Sequence, residues 1–280
     1  MTRRQRTISK AVSCTGKGVH SGIPVTARFL PAPENNGYTF VRTDLPGKPS
    51  IPGSLDAIVE HELARRTTLA RGDAKVHTIE HMLSAAFALG IDNMTIEMDG
   101  PEAPFLDGSA LPFANLLTSA GIAEQDTEST PIAITRPMAF TSGSAEISVV
   151  PDEQFRVSFF YTSDEPLLRN QSASYVIEPD AYLREIAPAR TFCFFHEIEA
   201  LRRAGLIRGG NLSSAVVIGR KAVVNSSLRF ADEPVRHKIL DFIGDVALLG
   251  RPLAGHFLAW RSGHQVHAAF GKFLKKELGL

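Results

Sequence analysis

The chain has 280 residues, of which 44% are hydrophobic and 21% charged, and its 30 lysines and arginines balance 30 aspartates and glutamates. This composition is typical of a globular protein with a substantial core. The net charge of zero argues against binding to nucleic acid, because proteins that bind nucleic acids usually carry an excess of basic residues. Because no apolar run approaches about 18 residues and the N-terminus has no apolar signal region, the sequence predicts a cytoplasmic protein without a transmembrane segment.

The first half of the chain alternates β and helical patterns. β-branched and aromatic residues, separated by turn signals such as GKG and PAPENNG, predict strands at the start. The segment HTIEHMLSAAFAL then has helical spacing, with an apolar face from Ile79 to Phe87 and Gly90 as its stop. A strand, NMTIEM, and a helix, LPFANLLTSAG, follow. These elements predict an N-terminal α+β domain at residues 1–123.

The second half repeats this order. A polar segment at residues 124–130 predicts a linker. Residues 131–280 then show strands at PIAITRP, AEISVVP and FRVSFFYT and a helix at DAYLREIA. A long helix, PVRHKILDFIGDVALL, can be capped by Asp232 and ended by Gly250 before the strand GHFLAW. Each main helix carries a histidine near its start and leads into a strand, which hints at two similar halves. Residues 193–222 fit neither half, and we interpret them as a βαβ-like insert.

The segment HTIEH, His77 to His81, reads H-x-x-E-H, the signature of inverzincin metallopeptidases. If both histidines bind one metal ion, the chain is a peptidase. If only His81 does, the other ligands lie elsewhere. Spacing alone does not choose between the two.

A second candidate metal site lies in VRHKILDFIGD. His237 and Asp241 are four residues apart on a predicted helix, so their side chains lie on one face, one turn apart. A simple hydrogen bond would explain an isolated pair of this kind. Here the surrounding face is apolar, where an unpaired charge is costly, and Asp245 adds a second carboxylate. With His81, the pair would supply the three protein ligands that a catalytic zinc needs.

Two further residues are candidates for proton transfer. Glu80 lies next to His81 and would point about 100° away from it on a helix, as a general base beside a metal should. An exposed glutamate is the commoner case, but this helix is otherwise apolar. His264, in WRSGHQVH, follows a strand and a glycine, which is typical of a loop-borne catalytic residue and equally of a surface histidine.

Seven ordered motifs extend over almost the whole chain: GKGVHSG, VHTIEHMLSAAFALGIDN, PEAPFLDGSALPF, ARTFCF, GLIRGGNLSSAVV, LRFADEPVRHKILDFIGD and SGH. Together they closely resemble the UDP-3-O-acyl-N-acetylglucosamine deacetylases, zinc enzymes of the committed step of lipid A synthesis in Gram-negative bacteria. The resemblance implies an α+β fold of two similar domains, each a β-sheet with a small insert, and helices packed between the two sheets. It implies hydrolysis of the acetamide of a UDP-sugar that bears a fatty acyl chain, and we expect the chain to act as a monomer.

The resemblance also implies roles for individual residues. One catalytic Zn²⁺, which Fe²⁺ could replace in the cell, would be bound by His81, His237 and Asp241. Glu80 matches the general base of the family. His264 matches a histidine that acts as general acid or stabilises the oxyanion.

Three polar residues match supporting positions. Thr191, in ARTF, matches a hydroxyl that helps hold the oxyanion. Lys238 matches a residue on the substrate side, and Asp245 matches the partner of the catalytic histidine. His77 stands where the family commonly has a small polar residue, so we expect it to be a bystander.

The resemblance gives the insert a purpose as well. Its apolar residues could line a channel for the acyl chain, where each buried methylene contributes about 0.8 kcal/mol. They could equally pack the insert itself. The candidates are Phe192, Ile198, Leu201, Ile207, Val216 and Val217, with Gly209 and Gly210 letting the backbone pass close to the chain. The insert reads GGNLSSA where the family usually has an acidic residue, which leaves the preferred chain length open.

Three other functions compete with a deacetylase. An inverzincin peptidase would bind metal through His77 and His81. A non-haem iron oxygenase would also use two histidines and a carboxylate. A metal-stabilised binding module without enzyme activity would have no need of Glu80.

Overall fold

The computed structural model describes residues 2–210 and 214–280. The strands are β1 (Arg3–Ile8), β2 (Val12–Lys17), β3 (Pro24–Pro31), β4 (Tyr38–Arg42), β5 (Ser50–Pro52), β6 (Thr68–Arg71), β7 (Ala74–His77), β8 (Met94–Met98), β9 (Ile122–Ser129), β10 (Ile132–Ala133), β11 (Met138–Ser142), β12 (Ala145–Val150), β13 (Phe155–Tyr161), β14 (Gln171–Val176), β15 (Phe192–Phe194), β16 (Val216–Ile218) and β17 (Leu253–Trp260). The helices are α1 (Glu80–Ala88), α2 (Leu111–Ala120), α3 (Pro179–Ala181), which continues into a π-helical turn at Tyr182–Ile186, α4 (Ile198–Arg203), α5 (Glu233–Val246) and α6 (His264–Glu277).

The N-terminal half is built on a five-stranded sheet with the order β2-β3-β8-β4-β5. β8 is parallel to β4, and the other neighbours are antiparallel. Ile96 of β8 pairs with Phe29 on one side and Phe40 on the other, and all three are fully buried. Phe29 packs against Phe113 of α2, so these cross-strand neighbours lie on the face of the sheet that is covered by a helix.

The C-terminal half repeats this arrangement with the order β11-β12-β17-β13-β14, and β10 also pairs with β17. β17 is parallel to β13 and antiparallel to β12. Ala259 of β17 lies between Ile147 and Phe159, and all three are again fully buried. In both halves one helix precedes the central strand and one follows it. The predicted α+β fold of two similar halves is confirmed.

Each half also carries an insert at the same place in its chain order. The insert lies between β5 and α1 in the first half and between β14 and α5 in the second half. In the first half it is the hairpin β6–β7. In the second half β15 and β16 pair in parallel and α4 lies between them in sequence, which confirms the predicted βαβ-like insert. Residues 211–213 of that insert lie outside the described residues.

Helices α1 and α5 pack against each other in the middle of the molecule. Both are buried nearly all round, as helices packed between two sheets must be. Gly244 lies at their closest approach, because a Cβ atom there would collide with the backbone carbonyl of Glu80. Among the described residues, no helix is long and apolar enough to cross a membrane.

The segment predicted as a linker, residues 124–130, lies almost entirely in strand β9. β9 pairs with β1, and its acidic residues form salt bridges with β1 arginines, Arg6 with Glu124 at 3.1 Å and Arg4 with Asp126 at 3.0 Å. Exposed and half-buried positions alternate along the strand, and from residue 124 onward it has none of the apolar residues that identify a strand in a sequence. The predicted domain boundary remains a prediction.

The predicted start of the first main helix was wrong. His77 ends β7, Thr78 adopts a left-handed conformation with φ of 57°, and α1 begins only at Glu80. The two histidines of HTIEH therefore belong to different elements. The H-x-x-E-H pattern does not lie on one helix here.

Three details of the C-terminal half also differ from the prediction. Asp232 precedes α5, but its carboxylate accepts a hydrogen bond from Arg236 at 2.7 Å and makes none to the helix backbone. His264 was expected on a loop and is instead the first residue of α6, a helix that the pattern analysis did not predict. Of the strand predicted at PIAITRP, only β10 forms.

Candidate active site

A cavity of about 560 Å³ lies between the two halves and their inserts. The predicted site residues that line it are Glu80, His81, Thr191, Phe192, Ile198, Leu201, Ile207, Gly210, His237, Lys238, Asp241 and His264. Val217 also lines the cavity, whereas Val216 does not. Neighbouring residues of a strand point to opposite faces, and Val216 packs instead against Leu168 and Ile218 in a small separate core. Val216 therefore faces away from the cavity in which the channel was expected.

His81, His237 and Asp241 converge at the inner wall of this cavity. Their ligand atoms lie within 4.8 Å of one another. Asp241 Oδ1 is 3.9 Å from Nε2 of His81 and 3.3 Å from Nε2 of His237. All three side chains are buried. Two imidazoles and a carboxylate in this arrangement could hold one metal ion, and three such protein ligands are typical of catalytic zinc sites.

His81, His237 and Asp241 have the protonation states that allow a cation to bind. Nδ1 of His237 donates to the carbonyl oxygen of Ala189 at 3.0 Å, which leaves the lone pair on Nε2. Burial and the neighbouring His237 lower the pKa of His81 to about 3. Burial opposes ionisation of Asp241, but His237 and Lys238 hold the pKa of this carboxyl well below its usual range. Neutral histidines and an ionised aspartate are the forms that bind metal.

Lys238 forms a salt bridge with Asp241. Its ammonium group donates to Oδ2 of Asp241 at 2.8 Å and lies 5.7 Å from the centre of the Phe192 ring. The second carboxylate oxygen is therefore already occupied, and Oδ1 faces the two histidines.

Glu80, at the start of α1, is 2% exposed, and its Oε2 accepts a hydrogen bond from the backbone N–H of Thr67 at 3.0 Å. Burial raises the pKa of Glu80 to about 7, although the positive charge of His264 acts in the opposite direction. A carboxyl group with such a pKa can accept and release a proton near neutrality.

Asp245 connects several side chains on the other side of Glu80. Its Oδ2 accepts hydrogen bonds from Nδ1 of His264 at 2.8 Å and from Nδ1 of His267 at 2.7 Å. Its Oδ1 accepts the hydroxyl of Thr67 at 2.5 Å. Nε2 of His267 bonds to the hydroxyl of Ser262 at 2.9 Å. The ligand atoms of this group are also close together, but its contacts are hydrogen bonds whose protons occupy both Nδ1 atoms.

The carboxylate of Asp245 determines the charge of His264. Burial by itself would lower the pKa of His264, but the charge of Asp245 and the hydrogen bond to it outweigh burial and raise this pKa to about 9. Burial likewise opposes ionisation of Asp245, and His264 holds its pKa well below the usual range. At neutral pH the pair is an imidazolium and a carboxylate.

His77 does not reach this site. Its Nδ1 lies 3.0 Å from the hydroxyl of Thr68, and burial and Arg66 lower its pKa to about 4. It belongs to neither of the two groups of potential metal ligands found among residues 2–210 and 214–280.

Thr67, Ser262 and His267 were missed in the sequence. Thr67 meets Asp245 only through the tertiary fold, and no local pattern signals it. His267 lies one turn after His264, so a prediction of helix α6 would have identified it as a neighbour on the same face.

The chain resembles known proteins over nearly its whole length. The family model described as LpxC, UDP-3-O-acyl N-acetylglycosamine deacetylase, matches residues 5–276. The chain is 44% identical to a UDP-3-O-acyl-N-acetylglucosamine deacetylase of Myxococcus xanthus, over 94% of this chain and 83% of that protein. It is 41% identical to a deacetylase of the same name from Nostoc sp., over 94% and 95%. It is 40% identical to the bifunctional enzyme LpxC/FabZ of Chlorobaculum tepidum, over 99% of this chain but 65% of that protein.

Proposed function

Because the chain belongs to the UDP-3-O-acyl N-acetylglycosamine deacetylase family, we propose that it hydrolyses the acetamide of UDP-3-O-acyl-N-acetylglucosamine. The products are acetate and the free 2-amine, in the committed step of lipid A synthesis. The observation that carries the proposal is one cavity in which a buried His–His–Asp group adjoins both an acid and a base. Metal-assisted hydrolysis of an amide uses all three.

The metal we propose is a single Zn²⁺, bound by His81, His237 and Asp241. Its support is the fit of the donor set: two neutral imidazoles and an ionised carboxylate, with the other nitrogen of His237 bonded to a backbone carbonyl. When bound, zinc polarises a carbonyl and lowers the pKa of water towards about 7. Fe²⁺, with similar ligand preferences, could take its place in the cell.

The proton transfers fall to the residues of the chain. Glu80 takes a proton from the attacking water as its oxygen bonds to the acetyl carbon. His264, held as an imidazolium by Asp245, gives a proton to the nitrogen as the carbon–nitrogen bond breaks. Thr191 donates its hydroxyl to the developing oxyanion. Exchange with solvent restores both protonation states.

Lys238 and the insert would hold the rest of the substrate. The ammonium group of Lys238, which lines the cavity beside Asp241, suits an anionic or hydroxylated part of the UDP-sugar. For the acyl chain we propose the part of the cavity lined by Phe192, Ile198, Leu201, Ile207, Gly210 and Val217. The cytoplasmic location and the monomeric state remain predictions.

The competing functions have less support. An inverzincin needs both histidines of HTIEH, and His77 is bonded elsewhere. A binding module gives no reason for a buried glutamate and an imidazolium beside the same three ligands. An iron oxygenase differs in its need for oxygen, and acetate release under nitrogen would exclude it.

The test is acetate release from UDP-3-O-acyl-N-acetylglucosamine, together with zinc per chain, for the wild type, His237→Ala and His77→Ala. We expect the wild type and His77→Ala to hold one zinc and to release acetate, and His237→Ala to lose both. Loss of metal in His77→Ala with His237→Ala still loaded would restore the inverzincin and overturn the proposed site.

A further inference from the structure

Thr67 lies in the N-terminal insert, immediately before β6, and is 2% exposed. Its carbonyl oxygen accepts the backbone N–H of Thr78 at 3.0 Å. Thr78 has a left-handed backbone and stands two residues before α1. The insert is thus attached through Thr67 to the point where α1 begins.

The remaining polar groups of Thr67 face the site from two directions. Its N–H donates to Oε2 of Glu80 at 3.0 Å, and its hydroxyl donates to Oδ1 of Asp245 at 2.5 Å. The hydroxyl has one proton, and an ionised carboxylate can only accept. The proton therefore points to Asp245, and a lone pair of the same oxygen faces Nδ1 of His264 at 3.3 Å.

These bonds fix one oxygen of each carboxylate. Oε2 of Glu80 is occupied by the N–H of Thr67, which leaves Oε1 to receive a proton from water. Oδ1 of Asp245 is occupied by the hydroxyl, which leaves Oδ2 to His264 and His267. A single residue thus orients both the base and the partner of the acid.

We propose that Thr67 is a positioning residue of the deacetylation reaction. It fixes the orientation of Glu80 relative to the Asp245–His264 pair. This inference rests on the proposed function. Thr67 does not line the cavity and touches no substrate. It acts through the two carboxylates, so its removal should affect turnover and leave substrate and metal binding intact.

The next residue offers a matched control. Thr68 has the same side chain and is fully buried, but its hydroxyl contacts the carbonyl of Glu62 and the ring of His77, away from the site. A purely structural role for buried threonine hydroxyls would make the two positions equivalent.

The experiment compares Thr67→Val, Thr67→Ser and Thr68→Val by kcat, KM, zinc per chain and Tm. We expect Thr67→Val to lower kcat about 10–100-fold, as for other residues that orient catalytic groups, with KM changed less than about twofold and zinc retained. Thr67→Ser, which keeps the hydroxyl, should recover most of kcat. Thr68→Val should keep the kcat of the wild type. Thr67→Ala carries the same expectation and replaces the valine variant if that variant does not fold.

Wild-type kcat in Thr67→Val, an equal loss in Thr68→Val, or a serine variant as impaired as the valine variant would overturn the inference. Failure of the proposed function looks different. In that case the wild type itself releases no acetate, whereas an active wild type with an unaffected Thr67→Val rejects only the role of Thr67.

Discussion

The two halves share one topology but contribute differently to the cavity. The N-terminal half presents Glu80 and His81 from the first turn of α1. The C-terminal half presents His237, Asp241 and Asp245 from successive turns along one face of α5. Neither half contains a complete acid, base and ligand set. A repeated fold therefore supplies two scaffolds, and the chemistry exists only where their main helices meet.

The inserts differ in the same way. The hairpin of the first half brings Thr67 to two carboxylates and makes polar contacts. The βαβ unit of the second half brings apolar side chains such as Ile198 and Leu201 to the cavity wall. The position of an insert in the fold is common to both halves, whereas its chemistry is not.

The largest effect should come from removing Glu80, the proposed base, which the first half supplies. Glu80→Ala should lower kcat about 10²–10⁴-fold, the usual contribution of general acid–base catalysis, and should keep zinc because Glu80 is not a proposed ligand. Glu97→Ala is the control, because Glu97 is a partly exposed residue of the central strand β8 that pairs with Arg28, away from the site. Turnover retained in Glu80→Ala would remove this residue from the mechanism.

The contribution of the second half can be examined by pH. If His264 acts as an imidazolium with a pKa of about 9, activity should fall as the pH rises through this value. Asp245→Asn removes the charge that raises this pKa, so the alkaline limb should move to lower pH by about 1–3 units. The pH dependence of kcat/KM for both proteins measures the shift. An alkaline limb that stays in place would show that another group titrates there.

The contact between the halves is sensitive to a single methyl group. Gly244→Ala places a Cβ atom against the carbonyl of Glu80, so the two helices must separate. We expect a loss of about 1–3 kcal/mol in the free energy of unfolding, as for other overpacked cores, together with reduced kcat. Ser119→Ala, exposed on α2, should change stability by less than about 0.5 kcal/mol. Denaturant unfolding of the three proteins tests this, and a Gly244→Ala as stable as Ser119→Ala would refute the close approach.

The smallest effect concerns the second insert. Each methylene removed from the acyl chain of the substrate should weaken apparent affinity by about 0.8 kcal/mol, roughly fourfold. Val217→Ala should reduce this dependence because Val217 lines the cavity, whereas Val216→Ala should lower Tm and leave the dependence unchanged. KM values for a series of substrates with increasing acyl-chain length, measured for the wild type and both variants, test these expectations. A KM that does not change with chain length would exclude the insert as the acyl-binding site.

Much of this arrangement follows from local sequence patterns, because the decisive elements are long and apolar. Periodicity predicts most of α1 and α5, and the four-residue spacing of His237 and Asp241 predicts their shared face. β9 was missed because its exposed, polar residues carry no apolar signal. Thr67 could not be predicted, since its partners in α1 and α5 are brought to it only by the tertiary fold.

The proposed metal ligands come from both main helices, so binding of an ion would also stabilise the contact between the two halves. His81 belongs to one half, and His237 with Asp241 belongs to the other. A divalent ion coordinated by all three residues would cross-link the two halves without any additional contact between side chains. An ion at about 100 times its Kd stabilises the folded chain by roughly 2.7 kcal/mol. Removal of the ion by a chelator should therefore lower the stability of the folded chain as well as stop the reaction.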